Sequence, residues 1–193
     1  MGCDIHTHVE YYGMGSKEWI DCDHYKRNKY YGHYENEKEF SVIEVCGFRN
    51  YSLFAVLANV RNYAGDEYID EPRGIPKDCN EHIKKDYESW ELDQHSASYF
   101  TLKELMDFYE KHPKKKVSGL VSSEQAKELD EKGVLPTSYC QWTNTEGYVR
   151  REWEIDSPLK LLIDELKERL EEVIYSYNEE HLDKIRFVFW FDN

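Results

Sequence analysis

Apolar and polar residues alternate along the first stretch of the chain. Ile5, Val9 and Tyr11 fall on one face, and Asp4, His6, His8 and Glu10 on the other. A period of two predicts a strand with one apolar and one polar face. Gly13 to Ser16 reads as a turn, and Glu18 to Cys22 as the returning strand of a hairpin. Residues 23–40 are polar and tyrosine-rich and read as a loop.

Asn50 is placed to cap a helix whose apolar face carries Leu53, Phe54, Leu57 and Val60. From Ala64 to Leu92 periodicity fades, so a long irregular loop is expected, with either a lid-like role or a decorative one. Thr101 and Glu104 form a capping box, predicting a helix from Leu102 to about Lys111, stopped by Pro113. Ser122 and Gln125 form a second box, with Gly133 as the stop. Residues 138–155 read as a hairpin with its turn at Asn144 to Gly147. Ser157-Pro158 opens the longest helix, carrying Leu159, Leu162, Leu166, Leu170, Val173 and Tyr177. The closing run Ile185 to Phe191 is almost wholly apolar, as in a central strand covered on both faces.

These elements predict an α+β fold. A mixed or antiparallel sheet contains both chain-terminal strands and is packed by three to four helices, with one long irregular loop. The 193 residues suit a single domain, 1–193, with 113–156 as a variable insertion carrying a hairpin.

Composition narrows the function. A net charge of −14 argues against a nucleic-acid polymer as partner, which requires clustered Lys and Arg. The short run Lys114 to Lys116 reads as a solvated loop. Five scattered cysteines without a CxxC pair suggest reduced thiols. No signal-peptide pattern opens the chain, and no apolar run approaches ~20 residues. A cytoplasmic protein without membrane insertion is therefore expected; a homo-oligomer stays compatible with all of this.

Four groups of residues could carry chemistry. Asp4, His6, His8 and Glu10 lie ~6.5–7 Å apart on one strand face. Such a set can hold a divalent metal ion, with Asp93 as a further candidate ligand, or can supply a histidine acid or base oriented by a carboxylate. Alternation also describes an ordinary solvated sheet face. Histidine and aspartate are poor strand formers, which favours a site. The DxHxH opening of amidohydrolase barrels does not apply, because such barrels need ~200 residues or more in eight strand–helix units. The second group is His95, Ser96 and Ser98, ahead of the helix start at Thr101. It can cradle an anion, with His95 as acid or base and Ser96 as a conceivable nucleophile. The third comprises Arg49, Arg61 and Arg73 with Asn50, Tyr51 and Asn62, whose guanidinium forks match phosphate, although each arginine also suits an internal ion pair. The fourth is the last strand, where Trp190 joins the histidine face if that strand lies beside the first.

The sequence resembles a group of phage-encoded proteins that begin Met-Gly-Cys-Asp-Ile-His. The resemblance extends to Arg49-Asn-Tyr-x-Leu-Phe-Ala55, Val60-Arg-Asn62, Pro72-Arg-Gly-x-Pro76, His95-Ser-x-Ser98 before Thr-Leu-x-Glu-Leu105, and the closing Phe-Trp-Phe-Asp. Residues 113–156 fall outside it. Position 8 varies in the group, so the resemblance weights Asp4, His6 and His95, and it implies a phage or prophage origin and a host cytoplasm.

The leading expectation is hydrolysis of a phosphorylated small molecule, a nucleotide first of all. His6 and His95 would work as acid and base, or bind a metal with Asp4 and Glu10, in a role that could counter a host nucleotide-signalling defence. The first alternative is a binding protein that sequesters the nucleotide uncleaved. The second is an acidic protein inhibitor of a host factor.

Overall fold

The computed structural model describes residues 2–33, 38–90 and 92–193. The chain forms two compact units, one of Met1–Lys111 with Pro158–Asn193 and one of His112–Ser157. The elements in order are β1 (Asp4–Gly13), β2 (Glu18–Asp21), β3 (His24–Arg27), β4 (Phe40–Ile43), α1 (Tyr51–Ala58), α2 (Glu81–Glu88), β5 (His95–Thr101), α3 (Leu102–Lys111), β6 (Lys114–Ser122), α4 (Ser123–Lys132), β7 (Tyr148–Asp156), α5 (Leu159–Val173) and β8 (Ile185–Asp192). This is an α+β protein in which both terminal strands share one antiparallel sheet, of order β2-β1-β8-β5.

Strand β8 is central because both of its faces are apolar. Phe187, Phe189 and Phe191 are fully buried and join Ile5 and Val9 in a core with Leu53, Phe54 and Leu57 of α1 and Leu159, Leu162 and Leu166 of α5. Each such ring or aliphatic chain contributes about 1.5–3 kcal/mol on burial. Val188 and Trp190 face the other way and form a second buried cluster with Ile83 of α2 and Ala97. Helix α1 starts where expected, since the Asn50 side chain accepts from the backbone N–H groups of Ser52 and Leu53. Helix α3 carries the expected box: Thr101 N–H donates to Glu104 (2.8 Å), and Glu104 N–H donates to the Thr101 hydroxyl (3.2 Å).

Several local expectations give way. Residues 23–40 are not all loop, because β3 and β4 pair as an antiparallel ribbon with Tyr25 opposite Val42; residues 34–37 of that stretch lie outside the described residues. The supposed irregular stretch 64–92, whose residue 91 is also outside them, contains α2. Ile83, Tyr87 and Trp90 stand at helical spacing and pack on the sheet. Helix α5 ends at Val173, so Tyr177 is not part of it. In the second unit β7 pairs with β6 along nine residues, so the hairpin expected within 138–155 does not form, and the Lys114 to Lys116 run is strand. A strand of alternating residues pairs with the longest matching partner, here Lys114–Ser122, and residues near 140 contribute only one bridge, Cys140 to Leu120. Val117, Val121, Ala126 and Trp153 form this unit's own core.

Candidate functional site

The register of β1 against β8 sets Asp4, His6, His8 and Glu10 opposite Asp192, Trp190, Val188 and Arg186. These residues share the sheet face that Ile83, Tyr87 and Trp90 cover. The face predicted to be an open polar site is therefore mostly a buried ionic layer. Glu10 is fully buried and Arg186 nearly so. The Arg186 Nε donates to Glu10 at 2.7 Å and its Nη1 to Asp78 at 3.0 Å, while its guanidinium lies 3.8 Å from the Trp19 ring centroid. Trp19 Nε1 donates to the same Asp78. Buried charges need such partners, since each lone one costs several kcal/mol.

His8 is only 2% exposed and bridges two carboxylates, Nδ1 to Asp23 at 2.5 Å and Nε2 to Asp86 at 3.3 Å. Its ring stacks on Trp190. Burial pulls its pKa down, but its hydrogen bonds to the Asp23 and Asp86 carboxylates more than offset this and push it up to about 9. His8 is thus held toward its protonated form, as a cross-link between two carboxylates. Lys38 shares Asp86, and the His8 and Lys38 partners hold that carboxyl below the usual range.

His6 sits at the edge of this layer. Its Nδ1 lies 3.4 Å from Glu44 and its Nε2 3.3 Å from Asp192, and its ring packs against Trp90 and Trp190. Burial opposes its charge, yet bonds to Glu44 and Asp192 raise its pKa above the ordinary value. Asp4 is engaged by both arms of Arg49, at 2.9 and 2.7 Å, and that hydrogen bonding lowers its pKa.

His95 does not join His6. It pairs in register with Phe191 and stacks on that ring, so it points to the face of α1, away from Trp190 and His6. Its neighbours are the buried Cys3 thiol, 3.9 Å from Nε2, and the Ser96 hydroxyl, 3.1 Å from Nδ1. Burial raises the Cys3 pKa. Ser96 has a φ of 50° at an irregularity that shifts the register between His95 and Ser98. The bulge turns His95 and Ser98 to the same face although they stand three positions apart. The acid–base pair expected of His6 and His95 is lost to strand alternation. The anion cradle is absent too, because His95 opens β5 rather than preceding a helix, and the first turn of α3 is closed by its own box.

The remaining candidates have structural partners. Arg73 donates to Asp70, Glu104 and the Tyr99 carbonyl. Arg61, at φ 53°, donates to the Tyr63 hydroxyl and the Asn193 side chain. Asn62 closes a turn to Asp66, Ser98 is buried and accepts from Arg73 N–H, and Tyr51 packs on Phe54. Trp190 is fully buried with its Nε1 lacking a hydrogen-bond partner. Asp93 is exposed on the turn before β5. Among the described residues no group of three or more His, Cys, Asp or Glu side chains is arranged to hold a metal ion. The set Asp4, His6, His8, Glu10 and Asp93 does not fit one, because Arg49, Glu44, Asp192, Asp23, Asp86 and Arg186 have already taken its donor atoms or turned them apart.

An open concavity lies beside His6. A pocket of about 330 Å³ is walled by the β3–β4 ribbon and α2, and its lining includes His6, Tyr25, Lys26, Lys38, Phe40 and His82. His6, Lys26, Lys38 and two rings thus line one space together with Ser41, Val42 and two carboxylates, Glu44 and Asp86, which pair with His6 and Lys38. The Nε2 of His82 is buried without a hydrogen-bond partner. Only His6 of these was singled out from the sequence. Two signals could have found the rest: the alternation in Phe40 to Glu44, which marks a short strand, and the Ile83, Tyr87, Trp90 stripe, which marks the helix that carries His82.

Fold and site together define an α+β protein whose sheet carries a buried ionic layer and a cation-and-ring pocket at its margin. No family model, curated protein or solved structure matches the chain. Among the described residues no helix is long and apolar enough to cross a membrane.

Proposed function

We propose that this protein binds a phosphorylated small molecule with a flat ring, a nucleotide, in the pocket beside His6. The observation that carries the reading is the convergence of Lys26, Lys38 and the raised-pKa His6 with Tyr25 and Phe40 around about 330 Å³. Pockets of ~300 Å³ and more suit small ligands. Phosphate would meet the lysine ammonium groups and the His6 imidazole, and the base would meet exposed rings. Lys26 makes no ion pair with the described residues, so its charge is available.

Sequestration is the reading the residues favour, because His6 and His95 face opposite ways and His8 is locked between two carboxylates. Hydrolysis of the bound phosphoester is the second reading. It is favoured by His6 itself, a histidine on the pocket wall whose raised pKa favours the protonated form that could protonate a leaving oxygen. With the resemblance to phage proteins, either reading extends to removal of a host signal nucleotide.

Calorimetric titration of the full chain with linear and cyclic nucleotides tests this. Saturable one-to-one binding is expected, weakened about tenfold (about 1.4 kcal/mol) by Lys26→Ala. Ligand released by heat and run on a column should emerge intact for sequestration and cleaved for hydrolysis. Absence of saturable binding, or unchanged binding by the Lys26 variant, refutes the site.

A further inference from the structure

Strand β7 leaves one edge of the smaller unit open. The bridge between Leu120 and Cys140 uses both the N–H and the C=O of Leu120, so these groups point away from β7. Leu120 stands opposite Arg150 in the β6–β7 register. By strand alternation, the N–H and C=O groups of Tyr148, Arg150, Glu152, Glu154 and Asp156 point outward, away from β6. The same five side chains are exposed. The Arg150 carbonyl accepts from its neighbour Arg151, while the outward backbone groups of Tyr148, Glu152 and Glu154 have no partner among the described residues.

An open strand edge is a template for another strand. Three observations say which strand fits. The first is the order of charge. Arg150 and Arg151 come early in β7, and Glu152, Glu154 and Asp156 come late. Opposite charges therefore meet when a second copy of the strand runs antiparallel to the first. Neither Arg150 nor Glu154 makes an ion pair with the described residues; Arg150 rests on the Ser118 hydroxyl and the Gln141 carbonyl. The second is the core. Val149 and Ile155 of β7 are just partly buried against it, and a two-stranded sheet is marginal by itself. The third is net charge. The chain carries −14, but residues 112–157 hold seven Lys and Arg against eight Asp and Glu. This unit is the part of an acidic chain that a second copy can approach without strong repulsion.

We propose that β7 is a self-association edge. It pairs antiparallel with β7 of a second copy, about a two-fold axis through Glu152, and makes a four-stranded sheet of order β6-β7-β7-β6. All of Tyr148–Asp156 then pairs. Arg150 faces Glu154 of the second copy and Val149 faces its Ile155, each contact made twice. Arg151, held by Asp130 at 2.8 Å, faces Trp153 of the second copy. Sliding two residues one way would set Glu152 against Glu154 twice. Sliding the other way would shorten the ladder and set Arg151 against Arg151. The fault of the full register is Glu152 facing Glu152 on the axis, in water and diagonal to both Arg150 side chains. The edge stands apart from the nucleotide pocket and does not depend on that reading.

Sedimentation equilibrium of the full chain, from micromolar to millimolar concentration, is the test. A monomer–dimer equilibrium is expected. Glu154→Arg sets arginine against arginine and should weaken the dimer about tenfold; adding Arg150→Glu exchanges the charges and should restore it. Glu152→Gln should tighten the dimer severalfold. Glu152→Pro removes an N–H that the single copy does not use, so it should fold and fail to dimerise. Unchanged thermal unfolding of dilute protein checks folding, and the charge exchange decides the matter if the proline variant unfolds. A chain that stays monomeric up to about 1 mM would leave the edge to a strand of some other protein and overturn the proposal. So would a dimer that Glu154→Arg leaves unchanged, because it would use a different surface.

Discussion

Titrating His8 should unfasten the ionic layer from the alkaline side. The imidazole is 2% exposed and bridges Asp23 and Asp86, which raises its pKa from 6.5 to about 9. In the unfolded chain it returns to the ordinary value. The folded pKa is the higher one, so the stabilisation is fully present below about pH 6.5 and is lost as pH rises through about 9. Each pH unit is worth up to about 1.4 kcal/mol between the two pKa values and less near either, so roughly 2 kcal/mol should disappear between neutrality and pH 9.5. That is a large part of a stability of ~5–15 kcal/mol. Urea unfolding followed by tryptophan fluorescence from pH 6 to 10 measures it directly, because Trp190 stacks on the ring. Other groups titrate in the same range, and the His8→Gln variant subtracts them: its curve should lack this decline. The His8 ring proton followed by NMR should shift with a midpoint near 9. A wild-type curve parallel to that of His8→Gln, or a midpoint at or below about 6.5, would refute the account of His8 as a buried cation.

The Glu10–Arg186 pair should behave as a unit. Glu10→Ala leaves Arg186 buried with only the exposed Asp78 as carboxylate partner, so a loss of about 3–5 kcal/mol is expected, and replacing both by methionine should recover most of it in the same unfolding assay. A single-variant cost below about 1 kcal/mol would mean that the pair is not desolvated as described. At the start of α1, Asn50→Ala removes the acceptor for two backbone N–H groups and should cost about 1 kcal/mol without altering the denaturant slope; a neutral result would place the capping energy elsewhere.

Local pattern was enough for much of this fold. The period of two in β1, the caps at Asn50 and Thr101, the Pro158 start of α5 and the apolar run of β8 all record interactions between residues close in the chain or faces defined by one element's own geometry. The same reasoning holds for β8 as a central strand, since a run without polar positions has no face to give to water. Partner choice is not a local property. Nothing near Tyr148 says that it pairs with Ser122, and nothing near residue 24 says that it pairs with residue 43.

The candidate site divides along the same line. That Asp4, His6, His8 and Glu10 share a face follows from strand geometry and can be read from β1 alone. Whether that face meets water or is covered depends on residues 75–90, which lie far along the chain and fold back over it. Burial turned His8 and Glu10 from candidate ligands into paired charges. His6, at the margin, borders an open pocket, in company with Lys26, Lys38 and Tyr25 that its own neighbourhood could not name. His95 was drawn to His6 by residue type and parted from it by register, because antiparallel pairing with Phe191 fixes which side of the sheet a side chain leaves. Residue chemistry and periodicity determined which groups this protein holds in reserve; the tertiary structure decided which of them are paired in the interior and which face a ligand, since exposure and charge pairing exist only between elements.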